Sequence, residues 1–111
     1  MSRLEEIKGA LETADSTYTL SLISGKYKIM VIYCLAEYDV VRFNEMKRLL
    51  PYISFKMLSA TLKDLEADKL VHRKDFMEIP PRVEYRLTER GKSLLPILDS
   101  MSQWGNKHRT D

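Results

Sequence analysis

The sequence has little of what enzymes, metal sites and secreted proteins need. It has one cysteine, Cys34, among 111 residues. A single thiol closes no intramolecular disulfide and suits a reducing compartment, so a cytoplasmic location is expected. Histidine is almost as scarce. His72 and His108 lie far apart with no cysteine near either, so there is no zinc-ligand spacing. There is no glycine-rich phosphate loop, no Ser/His/Asp set and no pair of carboxylates, so neither enzyme chemistry nor a cofactor is expected. The longest apolar run, Ile29 to Ala36, falls far short of the ~20 residues of a membrane span, and no membrane partner is expected. Residues Met1 to Lys8 are charged and contain no apolar segment of the secretory kind, so no signal peptide is expected. Linkers, low-complexity stretches and internal repeats are also missing, which suits a single domain over 1–111.

What is present is an ordinary globular composition, 44% apolar and 31% charged, with a net charge of only +2. A chain of this size buries roughly 65% of its unfolded surface on its own, so shared burial in an oligomer would help. The distribution of charge says more than its total. Residues 1–41 carry four basic and six acidic side chains, residues 42–92 twelve and eight, and residues 93–111 two of each. The positive excess therefore lies in the middle of the chain, the electrostatic footprint expected of a nucleic-acid-binding segment.

That middle segment also has the most telling order of elements. Phe43, Met46, Leu49 and Leu50 give one apolar helical face, and Pro51 stops the helix by pushing the preceding residue out of the helical region. Ser54 is placed to cap a second helix over about 55–68. On that helix Leu58, Leu62 and Leu65 form a buried stripe, while Lys56, Ala60, Lys63 and Ala67 lie opposite, with Ser59 at the flank. Leu70 to Lys74 and Val83 to Leu87 read as two strands, joined by a loop through Met77-Glu78-Ile79-Pro80-Pro81. The whole is a winged helix-turn-helix, with the helix-turn-helix over about 43–69 and the wing over about 70–87. The fold class is α+β, mostly α.

Flanking elements complete the chain. Leu4, Ile7 and Leu11 form an apolar stripe on an N-terminal helix (1–14), and a short helix runs from near Ser16 to Ile23. After a break at Ser24-Gly25, a helix over about 26–37 is apolar on nearly all sides and is expected at the centre of the core. Tyr38-Asp39 reads as a turn into an extended piece at Val40-Val41. Thr88 caps the C-terminal helix, Pro96 kinks or starts it, and Gly105 is placed as its C-cap. Leu94, Leu98 and Met101 share a face of this second arm (93–105), beside Ile97 and Trp104.

Double-stranded DNA is the partner this pattern favours. Lys56 and Lys63 suit phosphates or guanine edges, and Ser59 and Ala60 are small enough to lie against bases. Asn44 would donate to a phosphate or else cap the helix it opens. Lys74 and Arg82 stand on the two sides of the wing, with Arg73 and Arg42 as weaker candidates. For Arg82 the competing reading is an ion pair with Glu84 or Glu78. Phe55, away from the buried stripe, is expected to pack in the core under the turn, with base contact as the alternative, and Cys34 is expected as an inert buried thiol. The alternative to DNA is a winged helix that binds protein, with Lys56 and Lys63 merely solvated.

Several segments, in order, resemble the HxlR-type regulators, a MarR-related branch of winged helix transcription factors. They are Leu22 to Lys28, Arg42-Phe43-Asn44-Glu45, Leu65 to Arg73, Pro80-Pro81-Arg82-Val83-Glu84-Tyr85, Leu87 to Gly91, and Trp104-Gly105. Ser24 and Tyr27 stand where that family usually has Gly and Trp. The resemblance implies a homodimer through the first and last helices, with Leu4, Ile7, Leu11, Leu94, Ile97, Leu98, Met101 and Trp104 at the contact. It also implies a pseudo-palindromic operator, a recognition helix in the major groove and a wing on the flanking backbone. A small-molecule effector would be compatible with it, but no residue marks a site. Several relatives sense oxidants through a cysteine before the first core helix. Here the nearest position is Ala14, so that route is closed.

Overall fold

The computed structural model describes residues 2–110, except for the side chains of Leu11, Glu12 and Thr13. Leu11, expected on the N-terminal stripe, thus has its side chain outside the described residues. The elements run α1 (Arg3–Thr13), α2 (Asp15–Ile23), α3 (Lys28–Tyr38), β1 (Val41–Arg42), α4 (Phe43–Leu49), α5 (Phe55–Ala67), β2 (Val71–Asp75), β3 (Val83–Leu87), α6 (Glu89–Lys92) and α7 (Leu95–His108). The three strands form an antiparallel sheet in the order β1-β3-β2. This is a mostly helical winged helix, as expected. The extended piece after Asp39 turns out to be a third strand, with Val41 opposite Tyr85 and Arg42 opposite Glu84.

The apolar helix is the centre of the domain. Val31, Ile32, Cys34 and Leu35 of α3 are buried against Met46, Ile53, Leu58, Leu62 and Leu65. The break before α3 is made at Gly25, whose φ of 136° is a conformation that side-chain-bearing residues rarely adopt. The turn after α3 is made by Asp39 at φ 66°, whose N–H still bonds the Leu35 carbonyl. Gly91 has a different constraint. A Cβ there would collide with the Leu70 carbonyl oxygen, so only glycine lets α6 lie against the start of the wing.

Two C-terminal expectations need correction. Gly105 is not a C-cap: α7 continues to His108, and the Gly105 carbonyl accepts the N–H of Arg109 at 2.8 Å. The extra turn is held by His108, whose ring stacks on Trp104 at 4.2 Å and whose Nδ1 lies 2.9 Å from the Trp104 carbonyl. Lys107 and His108 also suit the negative end of the helix dipole. Thr88 caps only the short α6, accepting from Gly91 N at 3.0 Å, and Pro96 lies in the first turn of a separate α7.

Leu94 and Leu98 are buried in the chain's own core, 7% and 1% exposed, and are not free to meet a partner subunit. Ile97, Met101 and Trp104 are exposed, as are Leu4 and Ile7 on α1. The radius of gyration is 17.0 Å, against about 13 Å for a compact domain of this length, and the extents of 61 × 35 × 25 Å make the molecule elongated. No single helix among the described residues is long and apolar enough to cross a membrane.

Candidate nucleic-acid interface

The second helix of the helix-turn-helix is set by its ends. Leu50 closes α4 with a bond from its N–H to the Met46 carbonyl, and Pro51 prevents further helix. Ser54 Oγ then accepts the N–H of Met57 at 3.1 Å, which satisfies one orphan donor of α5. Leu58, Thr61, Leu62 and Leu65 hold α5 in the core. Thr61 is tolerated there because its hydroxyl donates to the Met57 carbonyl at 2.7 Å. Lys56, Ala60, Lys63 and Ala67 face outward and Ser59 is half-buried, as the helical wheel predicts.

Phe55 is a correction. It is 58% exposed and does not pack in the core. Its ring stacks on Phe43 of α4 with centroids 6.0 Å apart, and the Lys47 ammonium lies 5.1 Å from it. Lys47 also donates to the Pro51 carbonyl at 3.1 Å. Phe55 therefore fastens the start of α5 to α4 on the outside of the turn.

Two basic positions at α4 and one from the distant wing meet at a cleft of about 570 Å³. It is lined by Arg42, Phe43, Asn44, Glu45 and Arg48 on one side and by Pro81, Arg82 and Val83 on the other, so one carboxylate shares it with three arginines. Arg42 is held at the start of α4, where its N–H bonds the Glu45 carboxylate at 3.3 Å. Asn44 sits inside the first turn of α4 and not at its cap, which removes the capping reading. Arg48 was not singled out from sequence. Its only signal there is its i, i+4 spacing from Asn44, which puts both on the side of the helix turned to the wing.

On the wing, both ion-pair partners expected for Arg82 are present but long, Glu84 at 3.8 Å and Glu78 at 3.9 Å. Arg82 Nε is buried without a hydrogen-bond partner. What holds the guanidinium is Phe76, whose ring centre lies 3.6 Å from Cζ. The Lys74 ammonium lies 4.7 Å from the same ring. Glu84, on the central strand, is opposite Arg42 on one side and Lys74 on the other, and also pairs with Arg82. Arg73 pairs with Asp75 at 3.9 Å and shares a second groove with Ser59 and Lys63 of α5. Two grooves result, one with Arg42, Arg48 and Arg82 and the other with Lys63, Arg73 and the small Ser59, and cations outnumber carboxylates in each, which is chemistry for a polyanion.

Cys34 is 7% exposed. Burial, and then the Glu45 carboxylate, push its thiol above the ordinary range, so it stays protonated. This is consistent with the inert thiol expected from sequence.

Comparison with known proteins agrees with this fold. The family model described as HxlR-like helix-turn-helix matches residues 22–111. The uncharacterized HTH-type transcriptional regulator BH0655 of Halalkalibacterium halodurans is 47% identical, over 97% of this chain and 98% of its own. Among solved structures, the HTH-type regulator ytcD superposes with a TM-score of 0.80 at 41% identity, covering 86% of this chain and 97% of that one. The redox regulator HypR in its reduced form gives 0.78 at 42% identity, covering 86% and 94%. With this fold and these relatives, the chain belongs to the HxlR-like helix-turn-helix family of transcriptional regulators.

Proposed function

We propose that this protein is a cytoplasmic, homodimeric regulator that binds a specific, pseudo-palindromic double-stranded DNA site. The observation that carries the reading is the convergence of Arg42, Arg48 and Arg82 on one cleft between α4 and the wing, together with a second groove where Arg73 meets Ser59 and Lys63 of α5. In this reading α5 enters the major groove with Lys56, Ser59, Ala60 and Lys63, and Ser54 sets its start. Asn44, Arg42 and Arg48 hold the adjacent phosphates, and Lys74 and Arg82 reach the flanking backbone or minor groove. The dimer is supported by exposed apolar side chains on the terminal helices, Leu4 and Ile7 on α1 and Ile97, Met101 and Trp104 on α7. Two copies would place their recognition helices about 34 Å apart. Its role is binding, not catalysis.

The test is a fluorescence-anisotropy titration of the full chain on its own promoter DNA, repeated across salt concentrations. Affinity should fall steeply with salt. Lys56→Ala and Lys63→Ala should each weaken specific binding. If both leave it unchanged, α5 is not the reading head and the exposed lysines are only solvated, as in a protein-binding winged helix.

A further inference from the structure

A second cavity lies away from the basic face. It is a groove of about 440 Å³ between α3, the end of α4 and the turn of the helix-turn-helix, within the size range of ligand pockets. Three tyrosines line it, Tyr33 and Tyr38 from α3 and Tyr52 from the turn. The other walls are Met30, Cys34, Leu49, Leu50 and Glu37. Glu37 is the one charged residue on the lining, and among the described residues it has no ion-pair partner. Tyr38 and Tyr52 are more than half exposed, although a tyrosine ring ordinarily covers much of its apolar surface. Aromatic faces attract cations, and a nearby carboxylate adds to that attraction while repelling anions.

We propose that this groove is a binding site for a lipophilic organic cation, with the rings of Tyr33, Tyr38 and Tyr52 against its body and Glu37 against its charge. The site touches both halves of the domain. Tyr33 hydroxyl lies 3.1 Å from Ser102 Oγ and 3.5 Å from Asp99 Oδ1, both on α7. Tyr52 belongs to the five-residue connection between α4 and α5, next to Pro51, whose carbonyl is tied by Lys47 to the Phe55 end of α5. A ligand that moves Tyr52 therefore moves the start of α5. This coupling rests on the DNA-binding reading, whereas the binding site itself does not.

Calorimetric titration of the full chain with tetraphenylphosphonium tests the site without DNA, and tetraphenylborate supplies the same shape with the opposite charge. The cation should bind saturably, one per chain. Glu37→Gln and Tyr52→Leu, each at an exposed position and checked for folding by circular dichroism, should weaken it about five-fold each. Any heat from the borate should be insensitive to both substitutions. Absence of saturable cation binding, or a cation affinity that neither substitution changes, would overturn the site. The coupling is tested on promoter DNA, where the saturating cation should lower affinity at least about three-fold in the wild type. Unchanged DNA affinity with the cation bound would overturn the coupling and leave the site. Failure of the free protein to bind DNA at all would instead sink the functional reading, with the calorimetry still deciding the site.

Discussion

The guanidinium of Arg82 sits over the ring of Phe76, with Cζ 3.6 Å from the ring centre. Phe76 closes the end of the wing and also receives Lys74 at 4.7 Å, so one ring orients both wing cations. Nε is buried, but the carboxylate contacts of Arg82 are long, so the side chain is aimed while its terminal amino groups still have donors to offer. Arg82→Ala should therefore weaken DNA binding at every sequence and reduce the salt slope by about 1. Phe76→Leu should cost a smaller factor, about three-fold, by releasing the platform. In the Arg82→Ala background the same change should cost less. Strict additivity in anisotropy titrations would show that the ring does not position the arginine.

Arg48 faces the cleft from α4 and makes no ion pair among the described residues. If it holds a phosphate, Arg48→Ala should weaken operator and random DNA by similar factors and flatten the salt slope by about 1, with thermal stability unchanged. A loss confined to the operator would instead place Arg48 on a base.

The parts of this fold that rest on neighbouring residues were legible in the sequence. The Pro51 stop, the Ser54 cap, the Leu58-Leu62-Leu65 stripe and the outward Lys56, Ala60 and Lys63 are all local consequences of helical period and end chemistry. What escaped depends on contacts between distant segments. Phe55 reads as a core residue until Phe43 and Lys47 are seen to give it partners outside the core. Gly105 reads as a helix end until Trp104 and His108 carry the helix one turn further. Arg48 and Phe76 gain meaning only when α4 and the wing are brought together. Leu94 and Leu98 share a helical face with Met101, and periodicity alone cannot tell which part of such a face the domain itself covers.

Ser54 ties local chemistry to the interface. Its hydroxyl satisfies Met57 N–H at 3.1 Å, and Ser54→Ala leaves that donor to water. Urea unfolding should show a loss of about 1 kcal/mol. Because the cap also fixes where α5 begins, operator affinity should fall while non-specific affinity holds. Ser54→Asp should retain the cap and its stability but add a negative charge beside the phosphates, so it should bind DNA worse than Ser54→Ala. The opposite order would mean that Ser54 acts only through the helix.

Cys34 is covered, and its thiol is pushed up by burial and by Glu45, so at any working pH less of it is thiolate than in the unfolded chain. Steric cover and the lost thiolate act in the same direction. Alkylation by iodoacetamide at pH 8 should be slower than in urea by roughly an order of magnitude or more. Mild oxidant should leave DNA affinity unchanged. Rapid modification of the folded protein, with loss of DNA binding, would make Cys34 a redox sensor.

The two sides of the last helix should respond differently to substitution. Leu98 is 1% exposed in the core, so Leu98→Ala should cost about 2–5 kcal/mol of folding stability. Trp104 is 66% exposed and Met101 46%, with Ile97 beside them along the same stripe. Charged substitutions there bury nothing within one chain, so Met101→Lys with Trp104→Lys should leave the far-ultraviolet spectrum of the domain intact. In sedimentation the same variant should run as a monomer where the parent runs as a dimer. Operator affinity should then fall far more than affinity for a half-site, because two linked reading heads gain from effective concentration and one does not. A variant that still sediments as a dimer would move the subunit contact off α7.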